Sequence, residues 1–415
     1  MERYKSIFLW ISRIVIGVIF IYSGFVKAVD PFGSTYKFND YFIAFGANWA
    51  SIFSFGLAII LSSAEFIIGV SLFLNLKITK GIWGAILLMA VFTPLTFILA
   101  LTNPVQDCGC FGDALILTNW QTFWKNIVLL IPLIYLFIHK KDIRNSLTNM
   151  EQWFSVGIIS VFIIAISWYS INHLPLLDFR PYKIGTYIPA AMEIPENEPA
   201  DVWESIFIYS KDGTEKEFTL NNLPDSTWAF VDAKHVLISK GYEPPIHDFS
   251  LLGSDGSDIT DMVLASSNYN FLLIAHNLDK SDKKNQKEIN NLASFCQSKG
   301  YSFYCLTATG DEGIETFKKE TNASYEFYHT DEITLKTIVR SNPGLILLKE
   351  GAILGKWHSN DIPSPDELDE NITHQLVTDY KKKADKYYIY TLILLSAFIS
   401  STYLLIRRKM LTNKA

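Results

Sequence analysis

The 415-residue sequence predicts a multi-domain membrane protein: α-helical spans in a bilayer, an external α/β domain, and a small β-rich insert between the two. Three observations predict it. Residues 1–175 are almost continuously apolar, residues 176–386 read as an ordinary soluble region, and one more apolar run follows. The averages, 49% hydrophobic and 19% charged residues, blend these unlike regions and describe neither.

A helix needs about 20 apolar residues to cross a bilayer. Runs of that kind occur near 7–29, 53–76, 81–102, 120–138, 153–172 and 387–406. Buried helices of a soluble protein keep a polar face, and these runs mostly lack one. The first run is too long for the core of a signal peptide, and no small-residue cleavage site follows Ala28, so it reads as a retained helix.

Lys and Arg in short flanking loops mark the cytoplasmic side. Arg3 and Lys5 precede the first run, and Lys77 with Lys80 separates the second from the third. Lys140, Lys141 and Arg144 follow the fourth, and Arg407, Arg408 and Lys409 follow the sixth. All four clusters share one side if every run spans. Residues 103–119 carry no Lys or Arg, and residues 27–52 carry only Lys37 beside the membrane-edge Lys27. The expectation is six spans in a bacterial inner membrane, surrounded by lipid. Both termini are then cytoplasmic, and the loop 103–119 and the soluble region are periplasmic. A formal net charge of −6 without a basic run gives no sign of a nucleic-acid partner.

Ionisable residues inside spans are costly and are functional suspects by default. Glu65 sits near the middle of the second run and Arg13 in the first half of the first, where the two can pair or share a hydrated cavity. A packing clamp and a proton- or ligand-handling role for Glu65 both stay open. Ser23-Gly24-Phe25-Val26-Lys27-Ala28-Val29-Asp30-Pro31 closes the first run. Gly24 permits close helix approach, and Pro31 stops the helix. Lys27 and Asp30 share a face at i,i+3 and can pair or serve as an interfacial cap. Tyr36 to Trp49 alternates aromatic and polar residues, as a helix lying on the outer leaflet would.

The chemistry concentrates in Asp107-Cys108-Gly109-Cys110-Phe111-Gly112-Asp113, a polar loop between two spans. Two thiols one residue apart close only a small ring, and strained disulfides are the labile ones. In an oxidising compartment Cys108 and Cys110 read as a thiol–disulfide pair. Asp107 and Asp113 can accept protons, although their charge raises a thiol pKa. A static disulfide, or two idle thiols, is the alternative the residues leave open. No nearby His completes a tetrahedral zinc site, so no metal is predicted. None of the eight His residues lies in the core of a span, so no haem is predicted either. By elimination, a membrane quinone near Phe111 and Trp120 is the simplest electron acceptor.

The pattern Ser23-Gly24…Lys27…Asp30-Pro31, then Glu65…Gly69, then Thr93-Pro94 and the Cys-Gly-Cys-Phe-Gly loop resembles the DoxX/MauE-like four-helix membrane proteins over roughly residues 5–140. The resemblance implies a four-helix transmembrane bundle at 1–145; the apolar runs add two further spans at 150–175 and 387–407. It also implies a membrane thiol-redox component. MauE-type proteins are tied to disulfide formation in an exported enzyme subunit, and DoxX relatives to quinone-coupled oxidation.

Pro175, Pro181, Pro189, Pro195 and Pro199 lead into two β-like runs, Trp203–Tyr209 and Glu217–Leu220. These flank Lys211-Asp212-Gly213 and predict a hairpin in a β-rich insert at 180–242. From Gly241 onward the elements alternate. A strand at 270–276, a helix at 284–299 and a strand at 302–308 are followed by a helix at 313–321, a strand near 325–328 and a helix near Leu335. An antiparallel pair, 344–349 and 352–357, closes the series. This order resembles the thioredoxin-like fold over 243–383, which implies a cis-proline at Pro343. The family's Cys-x-x-Cys would follow Ala275, but this sequence has His276-Asn277-Leu278-Asp279-Lys280-Ser281 there. The domain therefore lacks the usual dithiol.

A cis-proline edge beside a vacant loop, with His276, Asn342 and Pro343, can hold an extended peptide by strand addition. It is expected to dock exported or periplasmic client proteins beside the Cys-Gly-Cys loop; a spacer or assembly surface is the other reading. Cys296 and Cys305 are expected at a helix–sheet interface, as buried free thiols or as a disulfide. Two functions follow. One is a quinone-linked thiol–disulfide oxidoreductase serving exported proteins. The other is a non-enzymatic scaffold or assembly subunit of a cell-envelope complex. Six dissimilar runs without evident repeats argue against a transporter.

Overall fold

The computed structural model describes residues 2–368 except Gln106, 144–146, Asp212 and Lys240. The sixth apolar run, the basic cluster after it and Arg144 lie outside the described residues.

The membrane region comprises α1 (Glu2–Val29), α2 (Pro31–Ala44), α3 (Ser54–Phe73), α4 (Ile78–Thr102), α5 (Asn119–Ile138) and α6 (Asn149–Asn172). Among the described residues five helices are long and apolar enough to cross a bilayer; of the six in this region, α2, with 14 residues, is too short. Their outward residues, such as Leu87, Ile131, Val161 and Trp168, are exposed, as a lipid-facing surface would be. Ile16, Leu72, Ile82, Leu133 and Leu136 fill the centre of the bundle, while α6 packs Ile159 and Ile163 against α1 and α3.

Helix starts follow their side chains. Thr118 with Gln121 opens α5 and Thr148 with Glu151 opens α6 as reciprocal capping boxes. Asp30 breaks α1 from α2 by accepting the Gly33 amide, with Pro31 as the first helical residue.

Two glycines decide how α1 meets α3. A Cβ on Gly24 would lie 2.4 Å from the Phe66 nitrogen, and one on Gly69 would lie 2.5 Å from the Ile21 nitrogen. Only glycine lets these backbones touch, in the manner of small-residue crossings in bilayers.

Outside the helices, α7 (Ile188–Met192) precedes a three-stranded antiparallel sheet made of β1 (Val202–Lys211), β2 (Thr214–Thr219) and β3 (Ala229–Ser239), in the order β2-β1-β3. The expected hairpin is β1–β2, and β3 adds a strand to it. The insert begins later than 180. Residues 181–192 pack instead on the α/β domain, where Ile188 is fully buried and its amide donates to the Gly351 carbonyl at 2.9 Å. The prolines suggested an insert; the backbone hydrogen bonds bind this segment to the edge of the larger sheet.

That domain contains α8 (Thr260–Ala265), β4 (Asn270–Ile274), α9 (Gln286–Lys299), β5 (Ser302–Thr307) and α10 (Asp311–Thr321). It continues with β6 (Glu326–His329), α11 (Glu332–Ile338), β7 (Gly344–Lys349) and β8 (Ala352–His358). The sheet order is β6-β5-β4-β7-β8, with β4, β5 and β6 parallel and β7 and β8 antiparallel. β4 is buried along its whole length, which explains its unbroken apolar sequence. Asn342–Pro343, just before β7, is cis. This is the thioredoxin-like arrangement. Cys296 on α9 and Cys305 on β5 lie in the core between helix and sheet as free thiols, so the alternative disulfide is not formed.

Candidate functional site

The Cys-Gly-Cys loop joins α4 to α5 and folds back over the bundle. Gly109 and Gly112 take positive φ values of 63° and 51°, conformations open to glycine at little cost. The turn sets Cys108 Sγ 3.3 Å from Cys110 Sγ, both as free thiols.

Helix α2 fixes the loop from one side. The Lys37 Nζ lies 2.6 Å from Asp107 Oδ2, and the Tyr41 hydroxyl donates to the Cys108 carbonyl. Asp107 also accepts the Gly109 amide at 2.8 Å. From below, the Ser23 hydroxyl lies 2.8 Å from two acceptors, the Cys110 carbonyl and Glu65 Oε2. A hydroxyl has one proton, so it serves one of them at a time. Lys27 completes this buried set with its Nζ 2.7 Å from Glu65 Oε2 and 3.0 Å from Ser23 Oγ.

Lys27, Glu65, Cys108 and Cys110 therefore line one cavity of about 90 Å³. Lys125, Asn126, Phe92, Met89 and Leu95 lie on its other walls. Each water needs about 10–15 Å³ by this measure, so the cavity has room for several.

The two thiols differ. The hydrogen bond between the two sulfurs brings Cys110 down to about 6 against its burial, with help from Lys125 and Lys27 and opposition from Glu65. The same hydrogen bond, together with burial, pushes Cys108 up. Of the two, Cys110 is the sulfur whose thiolate the surroundings favour.

Several expected partnerships are different. Arg13 does not pair with Glu65; its Nε donates to the Leu72 carbonyl at 3.1 Å and its Nη2 to Phe73 at 3.3 Å. These are the last carbonyls of α3, which a cation caps favourably. Lys27 does not pair with Asp30, because the glycine crossing delivers Glu65 to it first. Asp30 turns to Arg340 of the external domain, whose Nε lies 2.9 Å from Asp30 Oδ2. Arg340 Nη2 also lies 2.9 Å from Asp113 Oδ2. Asp107 and Asp113 are thus engaged by Lys37 and Arg340.

His276 and Asn342 sit on the external domain around the cis-proline. The Asn342 amide donates to the Asn277 carbonyl at 2.8 Å, closing the vacant loop against the turn. Among the described residues, His276 Nδ1 and Asn342 Oδ1 are buried without a hydrogen-bond partner, although Glu332 Oε1 lies 3.8 Å from His276 Nδ1. Burial, reinforced by Lys336, lowers the His276 pKa to about 4, so this imidazole is neutral at pH 7.

Sequence reasoning passed over Lys37, Tyr41, Lys125 and Arg340 as site residues. Lys125 had a signal: it is the only Lys, Arg, Asp or Glu between Asp113 and Lys140. Arg340 had none, because its partners are 310 and 227 residues away.

Residues 5–139 match the family model described as methylamine utilisation protein MauE, and residues 203–240 match a domain of unknown function, DUF8463. A curated relative, Protein TlpB of Flavobacterium psychrophilum, is 30% identical over 174 residues. The match takes in 40% of this chain and spans about half of that relative's length, 47%. A solution structure from Bacteroides thetaiotaomicron, described as a candidate protein disulfide isomerase, aligns over 35% of this chain and 90% of its own. Its identity is 14% and its TM-score 0.22. The chain is a bacterial membrane protein that carries a MauE-like domain in its first helices and a thioredoxin-like domain outside them.

Proposed function

We propose that the protein is a membrane thiol–disulfide redox component and that Cys108 and Cys110 are its working pair. The observation that carries this reading is the 3.3 Å approach of two unequal thiols above a cavity inside the bundle. A structural thiol pair has no need of such a cavity, whereas an electron-transferring pair needs an acceptor within reach. Oxidation of the dithiol to a disulfide releases two electrons and two protons. A quinone that takes up both becomes a quinol, and the apolar walls Phe92, Met89 and Leu95 suit its ring.

In this reading both termini are cytoplasmic and the loop faces the periplasm, where disulfides persist. The thioredoxin-like domain, which lacks its own dithiol, serves as the docking module for exported clients. The polar edge of His276, Asn342 and cis-Pro343 supports that role.

The test is thiol trapping in intact cells with a membrane-impermeant alkylating reagent, read at Cys108 and Cys110 by mass spectrometry. The pair is expected to be oxidised in normal cells and reduced after quinone depletion, and Cys108→Ser should leave the client's thiols unoxidised. A redox state indifferent to quinone would remove the acceptor from the proposal. Unaltered client disulfides in a Cys108→Ser/Cys110→Ser strain would instead favour an envelope scaffold.

A further inference from the structure

Three lysines line the cavity beneath the two sulfurs: Lys27 from α1, Lys37 from α2 and Lys125 from α5. Two of them are neutralised where they stand. Lys27 lies 2.7 Å from Glu65, and Lys37 lies 2.6 Å from Asp107. Among the described residues Lys125 has no carboxylate at ion-pair distance; its Nζ rests over the Phe111 ring, 4.5 Å from the centroid. An ammonium on a spanning helix is expensive and is normally met by an anion or by water. The ring's face supplies only part of that compensation.

The Cys-Gly-Cys pair lines the same cavity and adjoins Phe111, and it can become an anion without a counter-charge of its own. We infer that Lys125 is the counter-ion of a Cys110 thiolate, a positioning residue that makes Cys110 the nucleophile of the pair. The inference rests on the reading of the pair as a redox couple, but its physical content is the charge on one sulfur.

The placement of the loop favours Cys110 as well: it adjoins Phe111, whose ring carries the Lys125 ammonium, and its carbonyl is held by the Ser23 hydroxyl. The other charged or titratable groups facing Cys110 are Lys27 on α1, Lys37 and Tyr41 on α2, Glu65 on α3, and Asp107 and Cys108 in the loop. Lys27 and Glu65 offset one another, as do Lys37 and Asp107, and Tyr41 is held protonated by burial. The net charge felt at the sulfur is that of Lys125. In exchange, the Cys110 sulfur bonds to one sulfur of a partner disulfide. That S–S bond breaks, and the other partner sulfur leaves as a thiolate, so charge and electrons are conserved.

The experiment uses the full chain, purified in detergent and reduced, with iodoacetamide as the probe. Alkylation rates at Cys108 and Cys110 are measured separately by mass spectrometry as a function of pH. Cys110 is expected to react first, with a midpoint near 6. Lys125→Met should move that midpoint up by about 1–3 pH units, the usual effect of losing an adjacent opposite charge. Lys125→Arg should restore it, because the charge returns although the shape does not. The neutral pair Lys27→Met/Glu65→Gln should move it less than Lys125→Met alone.

An unmoved midpoint in Lys125→Met, or earlier labelling of Cys108, would overturn the inference. Lys125→Met makes a spanning helix more apolar, so its insertion is favoured, and circular dichroism checks its fold. The two readings fail separately. A shifted midpoint with a client indifferent to Cys110→Ser sinks the redox role, and the reverse pattern sinks only the counter-ion.

Discussion

Arg340 Nη2 meets Asp113 Oδ2 at 2.9 Å, joining the external domain to the end of the Cys-Gly-Cys loop. The same guanidinium holds Asp30 at the end of α1 and stacks over the Tyr36 ring. One planar fork thus serves two carboxylates and a ring, a task the point charge of a lysine performs poorly. It stands two residues before Asn342 of the cis Asn342–Pro343 bond, so the same contact ties that turn to the end of the loop that carries the two thiols.

Removing the fork should release the domain. Arg340→Ala leaves two carboxylates facing each other and is expected to raise hydrogen exchange at residues 107–114, measured at fixed pH. Asp30→Asn should weaken the contact more than Asp113→Asn, because the Asp30 side chain is 17% exposed and Asp113 36%. Equal effects would mean that solvent screening does not rank the two bonds.

Acid should uncouple the two carboxylates in order. Burial alone would raise Asp30, but the Arg340 and Arg180 charges and the Gly33 amide overcome it and hold the carboxyl below its ordinary value of 3.8. Burial wins at Asp113 and pushes its carboxyl up. Asp113 should therefore protonate first as pH falls. The folding stability contributed by Asp30 is complete above its unfolded value and is lost only as pH falls through its lower folded one. Isotope-edited infrared bands of the two carboxyls would read the order.

The buried pair in the bundle makes a prediction about asymmetry. Glu65→Gln or Lys27→Met alone leaves an uncompensated charge and should destabilise the protein by about 3–5 kcal/mol. The double variant should recover much of that loss. Unfolding in mixed micelles of the four proteins gives the coupling directly, and additive losses would show that Lys27 and Glu65 do not act as a pair.

Gly24→Ala and Gly69→Ala test the crossing that assembles this pair. Each added methyl meets backbone at 2.4–2.5 Å, where no side chain can yield. Overpacking of this kind costs about 1–3 kcal/mol. Both variants should also move α1 from α3 and loosen Lys27 from Glu65, seen as faster exchange around Glu65.

The four cysteines should separate by reactivity. Burial raises Cys296 to about 12 and raises Cys305 as well, and neither is exposed. In the native protein alkylation should therefore be confined to Cys108 and Cys110. Labelling of Cys296 or Cys305 should require denaturant.

Long apolar runs and the spacing of the Cys-Gly-Cys loop were legible because lipid and ring strain act on local sequence. Pairings were not. Lys27 and Asp30 sit three residues apart and invite a salt bridge, yet Asp30 is committed to capping α2 and to Arg340. Glu65 reaches Lys27 only because two glycines far apart in sequence let two helices touch. Arg13 looked like a partner for Glu65 because charges in spans need company. The company it found was the carbonyl end of α3, which composition does not reveal. The prolines of 181–199 likewise suggested a separate insert, although the first of them edge the larger sheet.

The external domain is fastened to the membrane region at two corners. One is Arg340; the other is the end of α6, where His173 Nδ1 lies 2.8 Å from Asp361 Oδ1 and the Asn172 carbonyl accepts from Asn360. At the first, Lys336 joins Arg340 over the Tyr36 ring; at the second, the chain itself crosses from span to domain. The His173 corner is the more exposed, so water competes for it more readily. The chain itself runs through that corner, so loss of its side-chain contacts still leaves the domain tethered there and held at Arg340. The fold thus ties the cis-proline turn to the end of the Cys-Gly-Cys loop through one guanidinium.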